Sequence, residues 1–166
     1  ALRSVEGKDM LLHATLPTVD GTKVVRRSGF GPRMIYVVGG NCGGRKLSTV
    51  DLYDPQNASW TQLASMARPR SSHGCVALEG KLYAVGGEGG APSQVLDTAE
   101  VYDPQTDGWQ PLAKMTTARY ALGLAAVSGK IYAIGGWDGT TLDSVEAYDP
   151  QLGTWAPVAS MSRKRK

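Results

Sequence analysis

The sequence predicts an all-β fold, a row of four-stranded antiparallel blades that forms an incomplete ring. Three observations predict it. A double glycine closes a short apolar run three times, at Met34–Gly40, Lys81–Gly87 and Lys130–Gly136. Tyr-Asp-Pro recurs at Tyr53-Asp54-Pro55, Tyr102-Asp103-Pro104 and Tyr148-Asp149-Pro150, spaced by 49 and then 46 residues. Seven residues past each tyrosine stands a tryptophan (Trp60, Trp109, Trp155), six further a methionine (Met66, Met115, Met161), and four further an arginine (Arg70, Arg119, Arg165). A period of about 45–50 residues with several short strands per unit is the mark of propeller blades.

Residues 1–33 precede the repeats and read as a linker or the remnant of a preceding segment. Asp9–Ala14 has the pattern of a helix end, Leu16–Gly21 is turn-rich, and Thr22–Arg27 is a basic extended stretch. Blade 1 is expected at about 34–66, blade 2 at about 67–115 and blade 3 at about 116–161. Blades 2 and 3 each contain an inner strand, near His73–Leu78 and Ala121–Val127. In blade 1 that place falls on Arg26–Arg33, which is too rich in glycine and proline for a strand, so blade 1 is expected to lack its inner strand. The apolar runs Leu82–Val85 and Ile131–Ile134 follow, bounded by glycine as buried strands are. Gly-Gly ends each run and lets neighbouring backbones approach. Val50–Tyr53, Ala99–Tyr102 and Val145–Tyr148 form the third strands. Asp-Pro turns the chain, because proline fixes φ and has no N–H for a ladder. The tryptophans open the outer strands. Their fixed phase, and that of the tyrosines and methionines, assigns these side chains to packing of blade on blade.

Gly-Gly, Tyr-Asp-Pro, Trp, Met and Arg in this order and at these offsets resemble the kelch repeat, over residues 34–166. The resemblance implies four-stranded blades around a central channel and a non-enzymatic protein-interaction module. The chain is most like the kelch-like family, in which BTB and BACK domains precede the propeller, and Gly7–Ala14 would be the remnant of a BACK helix. Kelch propellers commonly have six blades, and the first often receives its inner strand from the far C-terminus. The chain is therefore expected to be the N-terminal half of a propeller, from a truncated form or a short isoform. The resemblance further implies the substrate-recognition part of a cullin-type ubiquitin ligase adaptor, reaching the cullin only through a BTB domain absent from this chain. The alternative is a cytoskeletal scaffold that binds actin.

Partner-binding candidates are carried over by register onto the loops that follow Gly-Gly (Asn41–Ser48, Glu88–Leu96, Trp137–Leu142) and the repeat arginine. They are Asn41, Arg45, Ser71, Ser72, Glu88, Tyr120, Trp137 and Asp138. Trp137 departs from the register of the other tryptophans, so it reads either as a recognition hot spot or as a cap on its blade.

No enzyme chemistry is legible. His13 and His73 are the only histidines and cannot make a multi-histidine metal site. His73 and Cys75 share a strand face without a third orienting group, so a packed pair is expected rather than a nucleophile. Copper radical oxidases with kelch-type blades need more histidines than this chain has. The loops Gly39–Gly44 and Gly86–Gly90 resemble phosphate cradles, yet no helical periodicity follows them. No cofactor or metal is expected.

The net charge of +3 concentrates at Arg26, Arg27 and Arg33 and in the terminal run Arg163–Lys166. That run reads first as part of the repeat, since Arg165 is in register, and second as a nuclear signal. No basic stripe with exposed aromatics points to nucleic acid. Cys42 and Cys75 do not make a disulfide framework, and no apolar run is long enough for a membrane span. A cytoplasmic setting is expected, with a nuclear one open.

Overall fold

The computed structural model describes residues 23–26 and 34–166. The proposed BACK remnant at Gly7–Ala14, and His13 with it, lie outside the described residues. Three four-stranded antiparallel meanders follow one another. Blade 1 holds β1 (Lys23–Arg26), β2 (Ile35–Cys42), β3 (Arg45–Asp54) and β4 (Ser59–Leu63). Blade 2 holds β5 (Gly74–Leu78), β6 (Lys81–Val85), β9 (Ala99–Asp103) and β10 (Gly108–Pro111), with a small hairpin, β7 (Glu88–Gly89) and β8 (Gln94–Val95), inserted after β6. Blade 3 holds β11 (Gly123–Val127), β12 (Lys130–Ile134), β13 (Val145–Asp149) and β14 (Thr154–Val158). The innermost strands are neighbours, with β5 between β1 and β11. The described blades do not close into a ring.

Two expectations are corrected. Blade 1 does not lack an inner strand: β1 pairs antiparallel with β2, Lys23 opposite Val38 and Arg26 opposite Ile35. The phase is that of the other blades, where Gly74 opposes Val85 and Gly123 opposes Ile134. The strand-forming residues are Val24-Val25, upstream of the glycine- and proline-rich segment, which is the connection and not the strand. Blades 2 and 3 make the same connection by Glu79-Gly80 and Ser128-Gly129, all four at positive φ, the two-residue turn matched to strand twist. The second correction concerns Gly-Gly. In blade 1 it does not end the strand, because β2 runs through Gly39-Gly40 to Cys42 across a register shift between Val38 and Gly40.

The turn after each third strand is the one that the sequence predicts. The Asp54, Asp103 and Asp149 carboxylates accept from the backbone N–H two residues on, at Gln56, Gln105 and Gln151.

The core lies between blades. Tyr36, Met66, Leu82, Ala84 and Tyr102 pack together at the first junction, with Trp109 against them. Val76, Leu78, Tyr83, Ile131 and Tyr148 form the second with Trp155, beside Val85, Met115 and Ala133. The indole N–H of Trp109 donates to Ala64 O in the preceding blade at 2.9 Å, and that of Trp155 to Ala113 O at 3.0 Å. Trp109→Phe should therefore lower stability by about 1 kcal/mol, the worth of one such bond, in urea unfolding. Trp60 departs from this pattern and is 60% exposed.

The repeat arginines join each blade to the next. The backbone of Arg70 docks on its own blade, its N–H on Leu47 O (2.9 Å) and its carbonyl on the Gly40 N–H (2.8 Å). Its side chain, fully buried, crosses to blade 2 and donates to Gly86 O (2.8 Å), Thr98 O (3.2 Å) and the Glu100 carboxylate (2.6 Å). Arg119 repeats this, donating to Gly135 O (2.8 Å), Ser144 O (3.0 Å) and Glu146 (2.9 Å). Glu100 and Glu146 thus hold structural roles, and each also accepts the two N–H groups that follow the repeat methionine.

Burial alone would raise the Glu146 carboxyl, but bonds from Thr116, Arg119 and the Thr117 N–H outweigh it and hold the group below its ordinary value of 4.5. The folded state then binds its proton less readily than the unfolded chain. The stabilisation is present above about pH 4.5 and is lost as pH falls through the lowered folded value. A urea midpoint that drops steeply below about pH 4.5, and less steeply in Glu146→Gln, is the expected result.

Candidate functional site

The register places both loop sets at one end of the blades. β6 runs toward Gly86-Gly87 and β5 starts opposite its last residue, Val85, so the segments after Gly-Gly and after the arginine emerge together. The Asp-Pro turns lie at the other end.

At the first junction Ser71 and Glu88 pair through both backbone groups, at 2.9 and 2.8 Å. Ser71 is buried and offers its backbone; Ser72, half-buried at φ 51°, accepts the Ala121 N–H at 2.8 Å. Glu88 reaches back to blade 1, where its carboxylate accepts from Lys46 Nζ at 2.9 Å. At the second junction Tyr120 and Trp137 occupy the same two positions and pair at 3.1 and 2.9 Å. Trp137 is half-buried, with Lys166 Nζ 4.5 Å from its ring centroid. The next residue, Asp138, is exposed and accepts from the N–H (3.0 Å) and hydroxyl (3.1 Å) of Thr140. Those bonds, the backbone one first, keep its carboxyl below the usual range.

Asn41 and Arg45 stand apart from these pairs, on the β2–β3 hairpin whose tip is Gly43-Gly44. Arg45 is exposed, while the Asn41 Oδ1 is buried without a hydrogen bond. Sequence reasoning missed Lys46, because its partner lies in the next blade. It missed the β7–β8 hairpin as well. His73 is fully buried against Gly39 and Gly87, between blades. Among the described residues no group of three or more acidic, histidine or cysteine side chains could hold a metal, and no helix is long and apolar enough to cross a membrane.

The model of the kelch motif matches three times, over residues 27–67, 69–116 and 118–162. This chain belongs to the kelch-repeat family. Kelch-like protein 7 of Rattus norvegicus is 47% identical over 53 residues, 32% of this chain and 9% of that protein. Kelch repeat and BTB domain-containing protein 13 of Mus musculus is 37% identical over 78 residues, 45% of this chain and 17% of that protein. The chain thus spans a small part of the curated relatives that it matches. The solved structure described as that of YjhT superposes with a TM-score of 0.66 at 19% identity, over 78% of this chain and 49% of that one. It shows the shared fold. Kelch repeats of this kind are protein–protein interaction modules, and the described residues form three kelch blades with loops gathered at one end.

Proposed function

We propose that this chain is the substrate-recognition part of a cullin-type ubiquitin ligase adaptor, acting in the cytoplasm and binding a protein or peptide on its loop face. The observation that carries the reading is the pair of equivalent junctions, Ser71–Glu88 and Tyr120–Trp137. Each clamps the segment after the repeat arginine to the loop after Gly-Gly by two backbone bonds, so side chains are displayed on a rigid base. Their chemistry differs from blade to blade while the strands repeat. That favours recognition of a particular partner over stacking alone. The name of the mouse relative, which couples kelch repeats to a BTB domain, supports the adaptor role. The BTB domain, not these blades, would hold the cullin. Asn41, Arg45, Glu88, Trp137 and Asp138 are the proposed contact residues, with Ser71, Ser72 and Tyr120 shaping the floor.

A photo-crosslinking residue at Arg45, Glu88 or Asp138, compared with one at Gln105 in an Asp-Pro turn at the opposite end, tests this in cells. The expected result is one protein enriched at the loop positions, whose ubiquitination falls when the chain is depleted. Equal labelling from Gln105 would sink the loop-face assignment. Actin as the captured protein, with co-sedimentation on purified filaments, would replace the ligase role by a cytoskeletal one.

A further inference from the structure

A position that is leucine at the junction of blades 2 and 3 is histidine at the junction of blades 1 and 2. By repeat phase His73 stands where Leu122 stands, and the contacts agree. A Cβ on Gly86 would meet Met115 Cε at 3.3 Å and Leu122 Cδ2 at 3.4 Å. A Cβ on Gly39 would meet Met66 Cε at 2.9 Å and the His73 imidazole Cε1 at 3.2 Å. Gly87 packs on His73 as Gly136 packs on Leu122, the added carbon standing 2.7 Å from His73 Cβ and 3.2 Å from Leu122 Cβ. Both side chains are buried, His73 fully and Leu122 to 2% exposure. Two residues on, Cys75 stands in the phase of Leu124.

A titratable ring thus fills a site that the other junction builds for hydrocarbon. The charged groups on the elements around it have other partners. The Arg70 guanidinium crosses to blade 2 and is bonded to Gly86 O, Thr98 O and Glu100. Glu88, next to Gly87, accepts from Lys46 at 2.9 Å. Lys81, at the far end of β6, pairs with Asp103. β1 carries cations only, Lys23 and Arg26, while β2, β5 and β11 carry no charged residue. β5 adds the Cys75 thiol. Imidazole takes its second proton near about pH 6.5 in water. Here the resulting cation would be held out of water, among elements whose carboxylates are already bonded.

We propose that His73 is an acid-sensitive latch, whose protonation opens the junction of blades 1 and 2 while the junction of blades 2 and 3, built on Leu122, stays closed. The effect reaches the loop face, and its bearing on recognition rests on that face being the binding surface. Ser71 lies two residues before His73, and its carbonyl accepts the Glu88 N–H at 2.8 Å. That carbonyl and the His73 side chain pack on the same glycine, Gly87. Opening at His73 therefore releases the Ser71–Glu88 pair and leaves Tyr120–Trp137 in place. The ring is neutral in the closed junction, and the opened chain binds the extra proton below about pH 6.5. Closure is thus complete above that pH and is lost on acidification. One proton linked to opening shifts the equilibrium about tenfold per pH unit. Glu146 acts in a lower window, below its ordinary value of 4.5, so the two effects separate.

Amide hydrogen exchange on the 166-residue chain at pH 7.5 and 5.5, each rate divided by the intrinsic rate at that pH, reads the two junctions separately. The Ser71 and Glu88 amides should lose about tenfold in protection at pH 5.5, and the Tyr120 and Trp137 amides should keep theirs. His73→Leu places at the first junction the side chain that the second accommodates in the same phase, and should abolish the loss. His73→Gln, also without a titrating ring, should do the same and serves if the leucine variant does not fold. His13→Gln removes the other histidine and should respond as the parent does. Equal loss at both junctions, a loss undiminished in the His73 variants, or no loss in the parent overturns the proposal. The readout needs no partner, so a failed latch leaves the loop-face assignment standing, and a failed assignment leaves the latch to be decided by exchange alone.

Discussion

Arg119→Ala should lower the unfolding free energy by about 3–5 kcal/mol, the cost of removing one partner of a buried ion pair. Arg119 and Glu146 are both almost wholly buried. Truncation also removes the side-chain donor to the Gly135 carbonyl, while the Ser144 carbonyl keeps the Gly135 N–H. The same side chain couples blade 2 to blade 3, so the loss should appear as loss of cooperativity. Blade 3 should unfold first and give two urea transitions where the parent gives one. Arg119→Lys keeps the charge but not the two-nitrogen fork, and should fall between the parent and alanine. A cost below about 1 kcal/mol for Arg119→Ala would mean that apolar packing alone couples the blades.

Gly86→Ala should cost about 2–5 kcal/mol. Gly86 has φ +64°, where a Cβ is strained, and that Cβ would collide with the Arg119 carbonyl and meet Met115 Cε at 3.3 Å. The clash partner is backbone, held by its own bond to the Gly87 N–H, so it cannot move aside cheaply. Gly43→Ala is the control. Its φ is +57°, but nothing lies within 4 Å of the added carbon, so only the strain of about 1–2 kcal/mol remains. Equal costs for the two substitutions, measured by urea unfolding, would show that conformation and not close approach is the reason for Gly-Gly in this fold.

These two cases show how the sequence could be read. The glutamates at 100 and 146 announce a structural role by recurring in phase, and the structure joins each to an arginine 27 or 30 residues away. Gly-Gly likewise announces a close approach, though not the arginine carbonyl that makes it. Recognition is less legible. Asn41, Glu88 and Trp137 are found by phase, but which of them meet is decided by pairs such as Lys46–Glu88, 42 residues apart. No local pattern encodes that distance.

The sequence by itself determined the number of described blades, their phase and their Asp-Pro turns. Those features rest on local rules, on strand alternation and turn residues repeated at one period, and local rules are readable without neighbours. Only the tertiary structure decided that Lys23–Arg26 is an inner strand, because four residues of modest propensity become a strand once β2 offers a free edge. It alone decided that Trp60 is exposed while Trp109 is not, although both hold one position in the repeat. Burial there is conferred by the preceding blade, and a residue's own sequence cannot say whether that neighbour stands beside it.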